Sequence, residues 1–272
     1  MPEIFLLCVK LLFIIFSYQL AIRLLINKRK VAQPETLKVL MPSKVEIAQQ
    51  LDILPDSSKE FRIDAVEDVK DEEIALVAKH LLTLPNVSSP KRISENTDDT
   101  ITLDFNNEGD LIYLIGTSKN DITASEYLSA YRNIQTSVAS VLDWQEEKNI
   151  QEVLAQLIEN KAIQSARSVS CGGLFVALAK SAIPNSLGFS IRTNSAFRKD
   201  AFLFGEAQNR VLVSITLDQY TIFDATIAAT DVKASFLGKV KKGNFLIDAE
   251  TIMATSEAKY LIEKTWLTDE TK

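Results

Sequence analysis

Apolar and polar positions divide the chain into three stretches with different patterns. Residues 4–26 form an almost continuous apolar run. Residues 44–54 and 74–84 carry apolar side chains close to helical spacing. From residue 101 onward, short apolar runs bounded by turn residues alternate with longer amphipathic stretches. The pattern therefore predicts an apolar N-terminal segment, then a helical region, then a domain that mixes strands with helices.

Within the mixed region the pattern predicts individual elements. Strands are expected at 101–105, 110–116, 165–169, 188–191 and 211–215. Helices are expected at 125–131, 145–161, 174–183, 219–229 and 251–266, and a short helix or a turn is expected at 197–204. The turn residues 241–243 predict a hairpin that joins 235–240 to 244–248. This series is typical of the α/β or α+β class, with a single mixed sheet and packed helices.

The N-terminal run 4–26 is long enough to cross a hydrocarbon core as a helix, which takes about 20 residues. Its charged residues, Lys10 and Arg23, lie toward the ends, where long side chains reach the headgroups. The basic residues 28–30 follow the run, whereas a secretory signal peptide carries its basic residues before it. We predict a transmembrane helix with the bulk of the chain in the cytoplasm; a buried or membrane-surface helix is the alternative.

Glycine positions and helix signals set the predicted boundaries. All eight glycines lie at or after Gly109, so tight turns belong to the second part of the chain. Upstream, acidic residues open a helix at Asp71, and Pro85 ends it. We predict three regions, namely an anchor with its basic flank at 1–30, a linker and helical region of unknown role at 31–100, and the mixed domain at 101–272.

Composition narrows the possible functions. With 36 acidic and 30 basic residues, the net charge is -6, which argues against binding nucleic acid through a broad basic surface. Two cysteines and one histidine are too few for a disulfide framework or a histidine-based metal cluster. His80 itself is predicted to be a surface or packed side chain. Composition thus indicates no metal site and no catalytic triad.

Several phrases in the region 101–267 resemble the C-terminal domain of phosphoribosylformylglycinamidine synthase, a domain shared with aminoimidazole ribonucleotide synthetase. They occur in the family's order, at 103–105, 109–116, 120–122, 125–128, 163–166, 170–175, 187–189 and 204–208. The resemblance implies a purine-biosynthetic enzyme that uses ATP, magnesium and ammonia from glutamine to form an amidine. It also implies an N-terminal domain with glycine-rich phosphate loops, and residues 1–100 contain no glycine.

One loop departs from the family pattern. The family run resembles His-Asp-Val-Ser-Asp-Gly-Gly, and the matching residues here are 167–173. Ser168 and Cys171 stand where the resemblance implies acidic residues. Magnesium prefers hard carboxylate oxygens, so a hydroxyl and a thiol are poor replacements. The glycine pair is retained, and we expect it to serve the turn into the following helix.

The loop nevertheless supplies the candidate site. Backbone N–H groups at a helix start can receive a phosphate, so Ser168, Ser170, Gly172 and Gly173 are a residual nucleotide- or phosphate-binding site. Cys171 is either a thiolate stabilised by the helix start or a small residue that fills a former aspartate position. Glu206 is either a site residue or a capping or salt-bridging residue. No residue is assigned a catalytic role.

These observations predict a membrane-tethered, noncatalytic module that resembles the C-terminal domain of the synthase. Its partners would be the membrane, through residues 4–26, and a second copy of itself or a purine-pathway protein. The alternative is a subunit or fragment of an ATP-dependent synthase that works with a separate N-terminal partner. A gene remnant without a selected role is also left open.

Overall fold

The computed structural model describes residues 66–84, 101–134 and 143–269. The predicted transmembrane segment 4–26 and its basic flank lie outside these residues. Within the described part of the chain, no helix combines the length and the apolar character needed to cross a membrane.

The described residues form seven strands and six α-helices. The strands are β1 Leu111–Ile115, β2 Ser165–Ser168, β3 Leu187–Ile191, β4 Val211–Ile215, β5 Ala234–Lys242, β6 Asn244–Ile247 and β7 Glu250–Ala254. The helices are α1 Asp71–Leu82, α2 Trp144–Glu159, α3 Gly173–Ala182, α4 Lys199–Phe204, α5 Tyr220–Ala228 and α6 Thr255–Asp269. A π-helix, Tyr127–Tyr131, takes the place of the helix expected at 125–131.

All seven strands join one sheet in the order β2-β4-β1-β5-β3-β6-β7. Neighbouring strands are antiparallel, except for β3 and β6, which are parallel. The predicted single mixed sheet with packed helices is therefore confirmed.

The predicted hairpin between 235–240 and 244–248 is wrong, because β3 lies between these two strands. Gly188 allows this arrangement, since a Cβ there would lie 2.1 Å from the carbonyl oxygen of Asn244. The Phe189 ring also stacks on the Phe245 ring, with 4.6 Å between centroids. β6 instead forms its hairpin with β7.

Two further predicted elements are corrected. The strand expected at 101–105 is reduced to one isolated bridge between Thr102 and Ser165. The last helix starts at Thr255 rather than at 251, because residues 250–254 form β7 on the edge of the sheet. The first error concerns pairing with a segment far away in the chain, whereas β7 pairs with the neighbouring strand β6.

Helices cover the two faces of the sheet unequally. We call the face that carries Ile112 and Leu114 of β1 the first face; its apolar cluster takes side chains from α1, α3, α4, α6 and the π-helix. The second face carries Leu111 and Ile115, and its smaller cluster takes side chains from α2 and α5. Buried side chains of β3, β6 and β7 belong only to the first cluster.

Helix α1 belongs to the folded core, although its residues fall in the region 31–100. Its buried positions follow helical spacing and pack into the first-face cluster; they are Ile74, Val77, Ala78, Leu81 and Leu82. Just before it, the Asp68 carboxylate accepts hydrogen bonds from the N–H groups of Lys199 and Asp200, each 2.9 Å. Asp68 therefore caps α4 from 131 residues away in sequence.

Candidate functional site

The loop between β2 and α3 has the predicted form of a strand, a tight bend and a helix. Both glycines have left-handed backbone conformations, with φ of +83° at Gly172 and +70° at Gly173. A Cβ at Gly172 would lie 2.4 Å from Val176, and one at Gly173 would lie 2.6 Å from the backbone of Phe204. Backbone conformation and close packing thus both require the glycine pair.

Glu206 reaches the start of α3 from another loop. Its Oε1 accepts hydrogen bonds from the N–H of Gly172 at 2.9 Å and from the N–H of Glu126 at 2.8 Å. A carboxylate is favourable at this position because it meets the positive end of the helix dipole. Of the two roles that the sequence allows for Glu206, the structure shows capping.

Arg210 organises the segment that carries Glu206. Its side chain is 2% exposed, and it donates from Nη2 to the carbonyl oxygen of Gly205 at 2.6 Å and from Nε to that of Ala207 at 3.1 Å. Its Nη1 is buried and has no hydrogen-bond partner. Burial lowers the pKa of Arg210 to about 10, although Glu206 and Asp121 oppose the shift. The guanidinium therefore remains charged at neutral pH and fixes the loop around Glu206.

The backbone around Arg210 also joins the loop to the sheet edge. The N–H of Val169 donates to the carbonyl oxygen of Arg210 at 2.9 Å. The neighbouring Asn209 donates from Nδ2 to the carbonyl oxygen of Asp143, at the start of α2, at 2.8 Å. Residues 209 and 210 thus connect the starts of α2 and α3, which lie on opposite faces of the sheet.

Arg167, which stands where the resemblance implies a histidine, makes contacts that hold neighbouring elements together. Its Nη2 pairs with Oδ1 of Asp104 at 3.0 Å, and its Nε donates to Oγ of Ser181 at 2.8 Å. Burial lowers its pKa, and Asp104 opposes the shift. Arg167 therefore ties β2 to the end of α3 and to the segment before β1.

The predicted phosphate-binding residues lie together but differ in accessibility. Ser168 and Ser170 are exposed, Cys171 is half-buried, and both glycines are buried. The N–H of Gly173 donates to the carbonyl oxygen of Ser170 at 2.9 Å. The N–H groups of both glycines therefore have acceptors within the chain. Phosphate binding at these residues stays a prediction.

The donor set does not fit a magnesium ion. At the two positions where the resemblance implies carboxylates, the loop offers the hydroxyl of Ser168 and the thiol of Cys171. Across the described part of the chain, no group of three or more His, Cys, Asp or Glu side chains could hold a metal ion. Magnesium needs several hard oxygen ligands, which these residues do not provide.

An open cleft of about 430 Å³ lies near the C-terminal ends of β1 and β2, on the second-face side of the sheet. β1 and β2 both pair antiparallel to β4, so their C-terminal ends lie on the same side of the sheet, where the β2–α3 loop begins. The cleft lining mixes charges, with Lys119 and Lys233 beside Asp143, Glu146 and Asp231. Lys119 already pairs with Glu146 at 3.7 Å. The cleft therefore shows no preference for one class of ligand.

Residues 107–248 match the family described as "AIR synthase related protein, C-terminal domain". The match covers more than half of the chain and includes the β2–α3 loop. The chain belongs to this family. The resemblance inferred from the collinear phrases is thereby confirmed.

Curated relatives agree with this family. The chain is 28% identical to the phosphoribosylformylglycinamidine synthase subunit PurL of Caldanaerobacter subterraneus over 172 residues, which cover 63% of this chain and 24% of that protein. It is 38% identical to the PurL of Salinibacter ruber over 143 residues, 50% of this chain and 19% of that protein. The chain therefore spans about a quarter of the length of such relatives.

A solved structure shows the same fold. The T. maritima PurL complexed with FGAR superposes with a TM-score of 0.52 at 13% identity, covering 60% of this chain and 30% of that chain. At this identity the likeness concerns the fold alone.

Sequence reasoning missed three residues that shape the site, namely Arg210, Glu126 and Asp68. Arg210 stands two residues after the phrase 204–208, and its burial has no signal in the local sequence, because an arginine usually keeps its charged end in water. Glu126 donates its backbone N–H to Glu206, and the Asp68 carboxylate caps α4 from far away in the chain. Neither contact has a signal in the local sequence.

Proposed function

We propose that this chain is a noncatalytic binding module of its family, held at a membrane by residues 4–26. The observation that carries the proposal is that Ser168 and Cys171 stand in the β2–α3 loop where the resemblance implies carboxylates. The Glu206 carboxylate, which belongs to the retained phrase 204–208, accepts a hydrogen bond from the N–H of Gly172 and places a negative charge at the start of α3.

The electrostatics of the loop support the proposal in two steps. A helix start binds phosphate through N–H groups that point at the ligand, and those of Gly172 and Gly173 already have acceptors. The negative charge of Glu206 also repels a phosphate at this end of the helix. A bridging magnesium ion would relieve that repulsion, and the loop lacks the oxygen ligands to hold one.

The process that we assign is purine biosynthesis. Relatives of this chain are named as PurL subunits of phosphoribosylformylglycinamidine synthase, and they are about four times longer than the matched region. A domain of this family whose β2–α3 loop lacks the two carboxylates can still present its surface to another protein. We therefore assign it a scaffold role, with a purine-pathway protein or a second copy as partner.

Calorimetry with the full chain in mild detergent tests the noncatalytic role. We expect no heat of binding from ATP, with or without magnesium. The double variant Ser168→Asp/Cys171→Asp restores the two carboxylates, and Ser168→Asn/Cys171→Asn is its uncharged control. Magnesium-dependent ATP binding by the unmodified chain would contradict the proposal.

Membrane fractionation tests the tether. We compare the full chain with a variant that lacks residues 1–30, which removes the apolar run and its basic flank. The full chain should sediment with membranes and resist extraction at high salt, and the shortened chain should remain in the supernatant. Equal behaviour of the two chains would eliminate the anchor.

A second candidate function is a subunit of an active synthase that works with a separate N-terminal chain. The relatives named as PurL subunits support it, because this chain matches about a quarter of their length and an active synthase needs the other part as well. Growth of a purine auxotroph that also expresses the N-terminal part of a PurL protein distinguishes the candidates. Growth that depends on this chain supports the subunit, and no growth supports the noncatalytic module.

A further inference from the structure

Among the residues that the structure describes, helices cover only half of the width of the second face. Its cluster joins α2 and α5 to β2, β4 and β1. Beyond β1, Phe236 of β5 lies opposite Tyr113, and Lys239 lies opposite Leu111. Paired residues share a face of a sheet, so Phe236 and Lys239 lie on the second face. Phe236 is 54% exposed.

This open half of the second face is positively charged. Lys241 alternates with the first-face residue Val240, so it lies on the same side as Lys239, and both lysines are exposed. The register of the neighbouring strands places Gly188, Ser190, Asn244 and Leu246 beside them. None of these second-face positions on β5, β3 and β6 is acidic. We call this surface, residues 236, 239, 241, 190 and 246, the open sheet face.

Helix α5 has the opposite character. Phe223 is its one buried side chain among the described residues. The helix and the turn before it expose apolar side chains, namely Leu217 at 76%, Tyr220 at 41% and Ile222 at 46%. Residues 217–229 contain Asp218 and Asp224 and no lysine or arginine. α5 is therefore an acidic helix with apolar residues directed away from its own core.

Tyr113 makes these two surfaces continuous. Its ring lies 4.8 Å from that of Phe223 on α5 and 5.3 Å from that of Phe236 on the open sheet face. Burial raises the pKa of the Tyr113 hydroxyl, and the proximity of Tyr220 and Asp224 adds to the shift. The edge of α5 and the open sheet face thus adjoin each other along β1 and β5.

We propose that the open sheet face is covered by α5 of a second copy of this chain, in a two-fold symmetric dimer. In each copy, helices cover one half of the second face and leave the other half open. Rotation by 180° about an axis parallel to the strands places the helices of each copy over the open half of the other copy's sheet. Each helix layer then lies between its own sheet and that of the partner, the layered burial typical of domains. The same patch serves both copies, as a two-fold interface requires.

Charge complementarity favours a second copy of this chain as the molecule that covers the open sheet face. In this arrangement Asp218 and Asp224 of one copy lie against Lys239 and Lys241 of the other, and the contact occurs twice. Such complementary patches favour the paired orientation and disfavour the reverse one. The inference concerns a surface distant from the β2–α3 loop and does not depend on nucleotide binding.

Two charge-reversed variants of the full chain test the dimer. The sheet variant carries Lys239→Glu and Lys241→Glu, and the helix variant carries Asp218→Lys and Asp224→Lys. Molar mass is measured by sedimentation in mild detergent over a range of protein concentrations. We expect a wild-type dimer and at least about tenfold weaker self-association of each variant alone, since like charges then face each other.

Mixing the two variants gives the sharpest result. In a one-to-one mixture, the acidic sheet of the first variant meets the basic helix of the second, and the basic sheet of the second meets the acidic helix of the first. The mixture should therefore dimerise as the wild type does, which also shows that both variants are folded. Lys259→Glu, on α6 and the first-face side, is the control and should leave the dimer unchanged.

Three results would overturn the dimer. A monomeric wild type would mean that another segment or another protein covers the open sheet face. Self-association that survives both charge reversals would indicate contact through the N-terminal apolar run. A mixture that stays monomeric while both variants give native circular dichroism spectra would show that α5 and the open sheet face do not meet.

Discussion

The two faces of the sheet differ in how completely they are packed. On the first face, the Phe175 ring lies about 6 Å from the rings of Phe189, Phe204 and Phe245, and helices cover β1 and the strands beyond it to β7. On the second face, the buried cluster of the described residues ends at β1, with Ala234 of β5 partly buried against it, and Phe236 is half exposed. Stability is therefore concentrated on one face, and the other retains surface that can take part in association.

The comparison separates two classes of aromatic residue. Aromatic side chains of the first face fill space between elements, so their removal leaves a cavity. Phe236 has solvent on one side, so its removal leaves none.

The largest effect is expected at the centre of the first face. Phe175→Ala should lower the free energy of unfolding by about 3–5 kcal/mol, because Phe175 is fully buried among aromatic rings. Phe236→Ala should change it by less than about 0.5 kcal/mol. Urea denaturation followed by circular dichroism measures both, at concentrations too low for self-association. Equal losses would show that the faces are packed alike.

Helix α1 sharpens the comparison, because it lies outside the residues that match the family. Leu81→Ala, at a fully buried position on the first face, should cost about 2–5 kcal/mol. Leu76→Ala on the same helix, at a position 60% exposed, should cost almost nothing. The same denaturation experiment measures the difference. A small loss at both positions would place α1 outside the cooperative unit.

The cap of α4 should contribute less. Asp68→Asn should cost about 1 kcal/mol near neutral pH, since it weakens a helix cap. Burial raises the pKa of Asp68, but the hydrogen bonds from the backbone of Asp200 and Lys199 outweigh burial and hold this pKa below its ordinary value of 3.8.

The depressed pKa fixes the sign of the pH dependence. The contribution of Asp68 is present above pH 3.8 and is lost as the pH falls through the lower value of the folded state. Stability curves of wild type and Asp68→Asn should therefore converge below pH 4. The pKa of Asp200 is raised, chiefly by burial, so its response to acid has the opposite sign. A difference that grows toward low pH would contradict this assignment.

The smallest effect is expected at Glu206. Glu206→Gln keeps an acceptor oxygen for the N–H groups of Gly172 and Glu126, and should cost at most about 1 kcal/mol. Glu206→Ala removes the acceptor and should speed hydrogen exchange at the Gly172 amide by about tenfold relative to the glutamine variant. Equal exchange in the two variants would argue against the cap.

Prediction from the sequence succeeded where one segment carries its own signal. The apolar run at 111–115, the glycine pair before α3 and the amphipathic spacing of α2 each predict an element that the structure confirms. At the candidate site, the glycine pair and the loss of two carboxylates are also visible in the sequence. The burial of Arg210 is not visible, because it depends on tertiary packing. The partners of Glu206 are not visible either, because Gly172 and Glu126 lie 34 and 80 residues away from it in the chain.

The sequence by itself determined the kinds of elements and the chemistry that the β2–α3 loop lacks, because periodicity, glycine and side-chain charge are local properties. Only the tertiary structure decided that β3 lies between β5 and β6, that α1 packs into the core, and that Glu206 reaches the start of α3. These outcomes depend on which distant surfaces bury each other best, and no single segment contains that information.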